Sequence, residues 1–81
     1  MDWKTVHEYL EKLDPTALDK EPYIAEGKRE SESKFERWYR LNVRACFEIE
    51  KYKRCIEIAN QAMTLNIKWH HRNAYWIRLY R

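Results

Sequence analysis

Apolar residues recur at helical spacing near the start of the chain. Asp2 can cap a helix, and the apolar side chains that follow it fall on one helical face, namely Trp3, Val6, Leu10 and Leu13. This pattern predicts a first helix over residues 2–14, ended by Asp14 and Pro15, which can themselves start another turn. Residues 15–32 are predicted to be irregular with short helical turns, because Pro22 and Gly27 interrupt any long helix.

The central part of the chain carries two broad apolar stripes in succession. Ser33 and Glu36 form a capping-box pattern. The apolar stripe that begins at this cap comprises Phe35, Trp38, Tyr39, Leu41, Ala45, Cys46 and Ile49. It predicts a helix over 33–50. The next stripe comprises Tyr52, Cys55, Ile56, Ala59, Ala62 and Met63, and it predicts a helix over 52–66. Small residues on that second stripe allow close helix packing.

A last amphipathic helix is predicted over 71–81. The fold class that follows is all-α, a small antiparallel helical bundle of about four helices in one domain over residues 1–81. Within it a tryptophan is followed three residues later by an aliphatic residue at Trp3/Val6, Trp38/Leu41 and Trp76/Leu79, with the tryptophans 35 and 38 residues apart. Such a period is typical of stacked helical repeats.

Residues 35–67 resemble one tetratricopeptide repeat (TPR). The matching residues are Trp38-x2-Leu41, then Ala45, Phe47 and Tyr52, then Cys55-x3-Ala59-x2-Ala62, ending at Leu65, whereas Asn42 stands where that family prefers a small residue. The resemblance implies a TPR-like helix-turn-helix with flanking helices that presents a groove to a peptide or another domain without catalysis. Residues 71–81 would open a following repeat and residues 3–13 a preceding one. Because about three repeats are usually needed for stability, self-association, a partner or neighbouring chain would cover the open ends.

Composition and charge narrow the range of functions. The chain has 81 residues with two cysteines and one glycine, and it lacks both an apolar run long enough to span a membrane and a secretory leader pattern. We therefore expect a cytoplasmic protein with reduced cysteines and no membrane contact. Residues 1–50 hold nine Lys/Arg and twelve Asp/Glu, while residues 51–81 hold seven Lys/Arg and one acid, Glu57. This basic C-terminal part suits an acidic protein or a nucleic acid, or is simply a solvated surface.

Two sets of residues are candidates for partner binding. The first set lies along one edge of the central helix and comprises Arg37, Arg40 and Arg44. These arginines could bind carboxylates or phosphates through two hydrogen bonds each. Alternatively, they pair with Glu36 and Glu48 at i ± 4 spacing. In the second set, basic and aromatic residues alternate near the C-terminus. The set comprises Trp69, His70, His71, Arg72, Trp76, Arg78, Tyr80 and Arg81. Trp69 lies just before the last predicted helix, so we expect it to be exposed, whereas Trp76 shares the sequence context of Trp38, which favours a place in the core.

No catalytic, metal or cofactor site is expected. Cys46 or Cys55 with a histidine is the one nucleophilic pairing available, and both cysteines lie on apolar stripes where burial raises a thiol pKa. The histidines His7, His70 and His71 lack metal-ligand spacing with the cysteines. The sequence favours a non-catalytic protein–protein interaction module, an adaptor or small inhibitor. The alternatives are a small nucleic-acid-binding protein that uses the basic, aromatic C-terminal half and an obligate homo-oligomeric structural module.

Overall fold

The computed structural model describes residues 2–21, 23–24, 30–65, 69 and 73. Three α-helices lie in these ranges, α1 (Trp3–Glu11), α2 (Lys34–Glu48) and α3 (Tyr52–Thr64), with a 3₁₀ turn at Pro15–Ala17. Two strands of two residues each, β1 (Tyr23–Ile24) and β2 (Glu30–Ser31), pair antiparallel with Tyr23 opposite Ser31. The predicted all-α class is confirmed. Of the helix predicted over 71–81, only position 73 falls within the described residues, and it is helical.

Each of the three predicted helix caps is present. The Asp2 carboxylate accepts a hydrogen bond from the Thr5 amide, and the Ser33 hydroxyl accepts one from the Glu36 amide at 3.1 Å. Asp14 accepts from the amide of residue 16, with Pro15 in the first position of the 3₁₀ turn. These caps satisfy amide groups that have no partner inside a helix, which is why short polar side chains stand where α1, α2 and the 3₁₀ turn begin.

Helix α2 lies at the centre of the fold and is buried around much of its circumference. Its buried apolar side chains are Phe35, Trp38, Tyr39, Val43, Ala45 and Cys46. Helix α1 packs on one side, where the Trp38 indole Nε1–H donates to the Leu10 carbonyl at 2.8 Å. Helix α3 packs on another, where the Cys55 thiol donates to the Val43 carbonyl at 3.3 Å. The core therefore consists of two helix–helix contacts that share α2.

The buried face of α3 is narrower than the sequence pattern suggested. It consists of Cys55, Ile58, Ala59 and Ala62, which follow the i, i+3, i+4, i+7 spacing of one helical stripe. Three members of the predicted apolar stripe, Tyr52, Ile56 and Met63, lie outside this buried face, because they are 52%, 46% and 39% exposed. Since α3 packs on α2 along a single face, the apolar residues just beyond that face remain exposed to solvent.

The turn between α2 and α3 places a glutamate in the left-handed region of the backbone. Glu50 has φ 64°, and its amide donates to the Phe47 carbonyl at 3.1 Å. The Lys51 amide donates to the Cys46 carbonyl at 2.8 Å. These two bonds form a Schellman motif, in which the left-handed position strongly favours glycine.

Replacing this residue tests the turn. We expect Glu50→Gly to raise the free energy of unfolding by about 1 kcal/mol, because it removes the steric cost of a β-carbon in the left-handed region. Urea denaturation followed by circular dichroism would measure the change. The matched control is Glu57→Gly in the exposed middle of α3, which should instead lower stability by about 1 kcal/mol. A loss of stability in Glu50→Gly would contradict this description of the turn.

Candidate functional site

The predicted arginine edge of α2 is partly occupied by a carboxylate that lies just before the helix. Arg40 Nε–H donates to both oxygens of the buried Glu32 side chain, at 2.8 and 3.0 Å. Arg37 Nε lies 3.6 Å from Glu32 Oε1. Of the two i ± 4 pairings considered for these arginines, Arg44 with Glu48 is confirmed, with Nε and Oε1 2.8 Å apart.

A residue from the C-terminal part of the chain completes this cluster. The buried Asn73 side chain donates from Nδ2 to Glu32 Oε2 at 2.9 Å and lies 3.4 Å from Glu36 Oε1. Burial by itself raises the pKa of the Glu32 carboxyl, but the hydrogen bonds from Arg40 and Asn73 outweigh it and leave that pKa below its ordinary value. We call Glu32, Arg37, Arg40 and Asn73 the Glu32 cluster. It fixes position 73 against the start of α2, so Arg40 has a structural role.

The other two arginines of the edge are more open to solvent. The side chains of Arg37 and Arg44 are 49% and 57% exposed. The Arg44 guanidinium also lies over the ring of Trp3, 5.6 Å from its centroid, which is a cation–π geometry between α2 and α1. Both cations therefore remain within reach of a partner, whereas the guanidinium of Arg40 is held by Glu32.

Trp69 is the one member of the C-terminal candidate set that the structure describes. Its ring stacks on Phe35 with centroids 6.2 Å apart and meets the Tyr39 ring edge-on at 5.6 Å. The expectation that Trp69 is exposed was wrong, because it is partly buried against the aromatic end of the core. The other members of this set, His70, His71, Arg72, Trp76, Arg78, Tyr80 and Arg81, lie outside the described residues. The nucleic-acid alternative depends on them and stays a prediction.

A buried polar cluster joins α1 to α2. His7 Nδ1 lies 2.7 Å from Asn42 Oδ1 and 3.4 Å from Cys46 Sγ, while His7 Nε2 lies 3.7 Å from Glu11 Oε1. An amide oxygen accepts hydrogen bonds, so with this amide orientation the His7 proton is assigned to Nδ1. Asn42 Nδ2 has no hydrogen-bond partner in the described structure. This contact explains why a polar residue occupies position 42, where a small residue would leave His7 buried without its acceptor.

The same cluster brings together the one nucleophilic pairing that the sequence contained. Cys46 is fully buried, and burial raises the pKa of its thiol to about 11. Burial raises the pKa of the Cys55 thiol as well. The predicted rise of both thiol pKa values is confirmed, and at neutral pH both cysteines are protonated and inside the core.

An ion pair connects the two outer helices. Arg54 on α3 donates from Nε to Glu11 Oε1 at 2.7 Å and from its terminal nitrogen to Oε2 at 3.0 Å. The hydrogen bond from Arg54 is the main cause of the lowered pKa of the Glu11 carboxyl. Such a two-pronged contact fixes orientation as well as distance. It therefore limits how far α3 can rotate about its own axis.

The exposed apolar residues of α3 lie on one line along the helix. Tyr52, Ile56 and Met63 are separated by four and seven residues, so they share a helical face, and we call them the α3 stripe. The Phe47 ring meets the Tyr52 ring edge-on with centroids 5.8 Å apart. Lys51 and Lys53 are exposed beside the Tyr52 end. Helical periodicity alone could not separate this stripe from the core. It shows which residues share a face of α3, but not how much of that face the neighbouring helix covers.

Removing the Arg40 guanidinium should destabilise the fold. We expect Arg40→Gln to lower the free energy of unfolding by about 2 kcal/mol at neutral pH, because it takes charged hydrogen bonds from a buried carboxylate. The lowered pKa of Glu32 means that this stabilisation is present above its ordinary value of 4.5 and is lost as the pH falls through the folded-state value. The difference between wild type and Arg40→Gln should therefore shrink on acidification.

Urea denaturation at several pH values would measure this. The matched control is Arg37→Gln, which removes a half-exposed cation on the same carboxylate and should cost about 0.5 kcal/mol or less. Equal effects of the two substitutions, or a difference that grows at low pH, would contradict the role given to Arg40.

Both thiols should be protected in the folded chain. At pH 7 to 8 we expect Cys46 and Cys55 to react with a disulfide reagent such as dithionitrobenzoate only as fast as the chain unfolds, since burial keeps them protonated and inaccessible. The chain unfolded in urea supplies the control, in which both thiols react at once. Rapid modification of a folded-state thiol would show that the core opens around it or that its pKa is not raised.

Comparison with protein-family models, with curated proteins and with solved structures finds no match to this chain. The resemblance to a tetratricopeptide repeat therefore stays a prediction. None of the helices in the described ranges combines the length and apolar content needed to cross a bilayer. Within the same part of the chain, no group of three or more His, Cys, Asp or Glu side chains is placed to hold a metal ion.

Proposed function

We propose that this chain is a non-catalytic protein–protein interaction module that docks a partner protein on the α3 stripe. The observation that supports the proposal is the exposure of Tyr52, Ile56 and Met63 on one line of α3. Single exposed apolar residues are common on protein surfaces and need no explanation. Three large ones that share one face of a helix are more unusual, and clustered apolar exposure is characteristic of interaction sites.

The residue types of the patch suit a binding role. Tyrosine supplies a large contact area with little loss of side-chain freedom, and it is enriched among the residues that contribute most to binding. Methionine is unbranched and polarisable, so it adapts to irregular partner surfaces. Tyr52 is further steadied by its edge-on contact with the Phe47 ring. The patch therefore combines a fixed aromatic end with an adaptable aliphatic end.

Helix α3, which carries the patch, is fixed by contacts with α1 and α2. The Cys55 thiol is bonded to the Val43 carbonyl, and Arg54 is bonded to Glu11 on α1. A surface held in place before binding loses less conformational entropy when a partner arrives. The half-exposed Arg37 and Arg44 lie on the solvent side of α2 and are candidates for contacts with acidic groups of a larger partner.

A chain that acts by covering part of another protein would serve as an adaptor or as a small inhibitor. We place it in the cytoplasm, since both of its cysteines are free thiols and reducing compartments preserve that state. This function needs no cofactor. Its requirement is that the α3 stripe stays in solvent until a partner covers it.

Site-specific photo-crosslinking tests the proposal. A photoreactive phenylalanine analogue placed at Ile56 in the full chain should give discrete adducts of higher mass after irradiation in cells that express it. The matched control places the same group at Gln61, which is exposed on α3 but turned from position 56 by roughly 140°. Mass spectrometry would identify the adducts. Adducts equally abundant at both positions, or absent from both, would overturn the proposal.

A further inference from the structure

We draw no further inference here: the strongest candidate, the α3 stripe, belongs to the docking surface already proposed, and nothing in the described part of the chain shows what covers it, since the exposed Glu50 and Glu57 balance the exposed Lys51 and Lys53 beside it.

Discussion

The burial of α2 on more than one side is the constraint on which the rest of the structure depends. A helix that packs on two neighbours cannot keep its polar groups on a single solvent face, so several of them lie inside. Each of the buried polar groups on α2 discussed above receives a contact from a distant part of the chain. Trp38 donates to the Leu10 carbonyl, Asn42 accepts from His7, and Glu36 lies next to Asn73. These contacts are directional, and they fix where each neighbour sits along α2.

This constraint also sorts the arginines of α2. Arg40 lies on the edge closest to the buried Glu32 and is needed there to compensate a carboxylate away from water. Arg37 and Arg44 lie further round toward solvent and keep about half of their side chains exposed. The three arginines look equivalent in the sequence, but Arg40 stabilises the fold whereas Arg37 and Arg44 remain largely at the surface. The division follows from the position of Glu32, eight residues before Arg40 along the chain.

What could be predicted from the sequence is local, and what could not is set by packing between distant residues. The caps at Asp2, Asp14 and Ser33 join residues two or three apart, so the chemistry of a short segment determines them. The contact of His7 with Asn42 spans 35 residues and depends on how α1 lies on α2, which no local pattern records. The width of the buried face of α3 depends on its neighbour in the same way. For that reason the apolar pattern did not separate Tyr52, Ile56 and Met63 from the buried residues of α3.

The exposure of the stripe cannot be relieved by a different placement of α3 on α2. Rotating α3 so that Ile56 and Met63 faced α2 would carry Ile58, which is fully buried, toward solvent. It would also break the bond from Cys55 to the Val43 carbonyl and move Arg54 away from Glu11. The contacts that hold α3 thus keep its second apolar face outside. Large apolar side chains in water do not stabilise the fold, which is consistent with the docking role that we propose for this face.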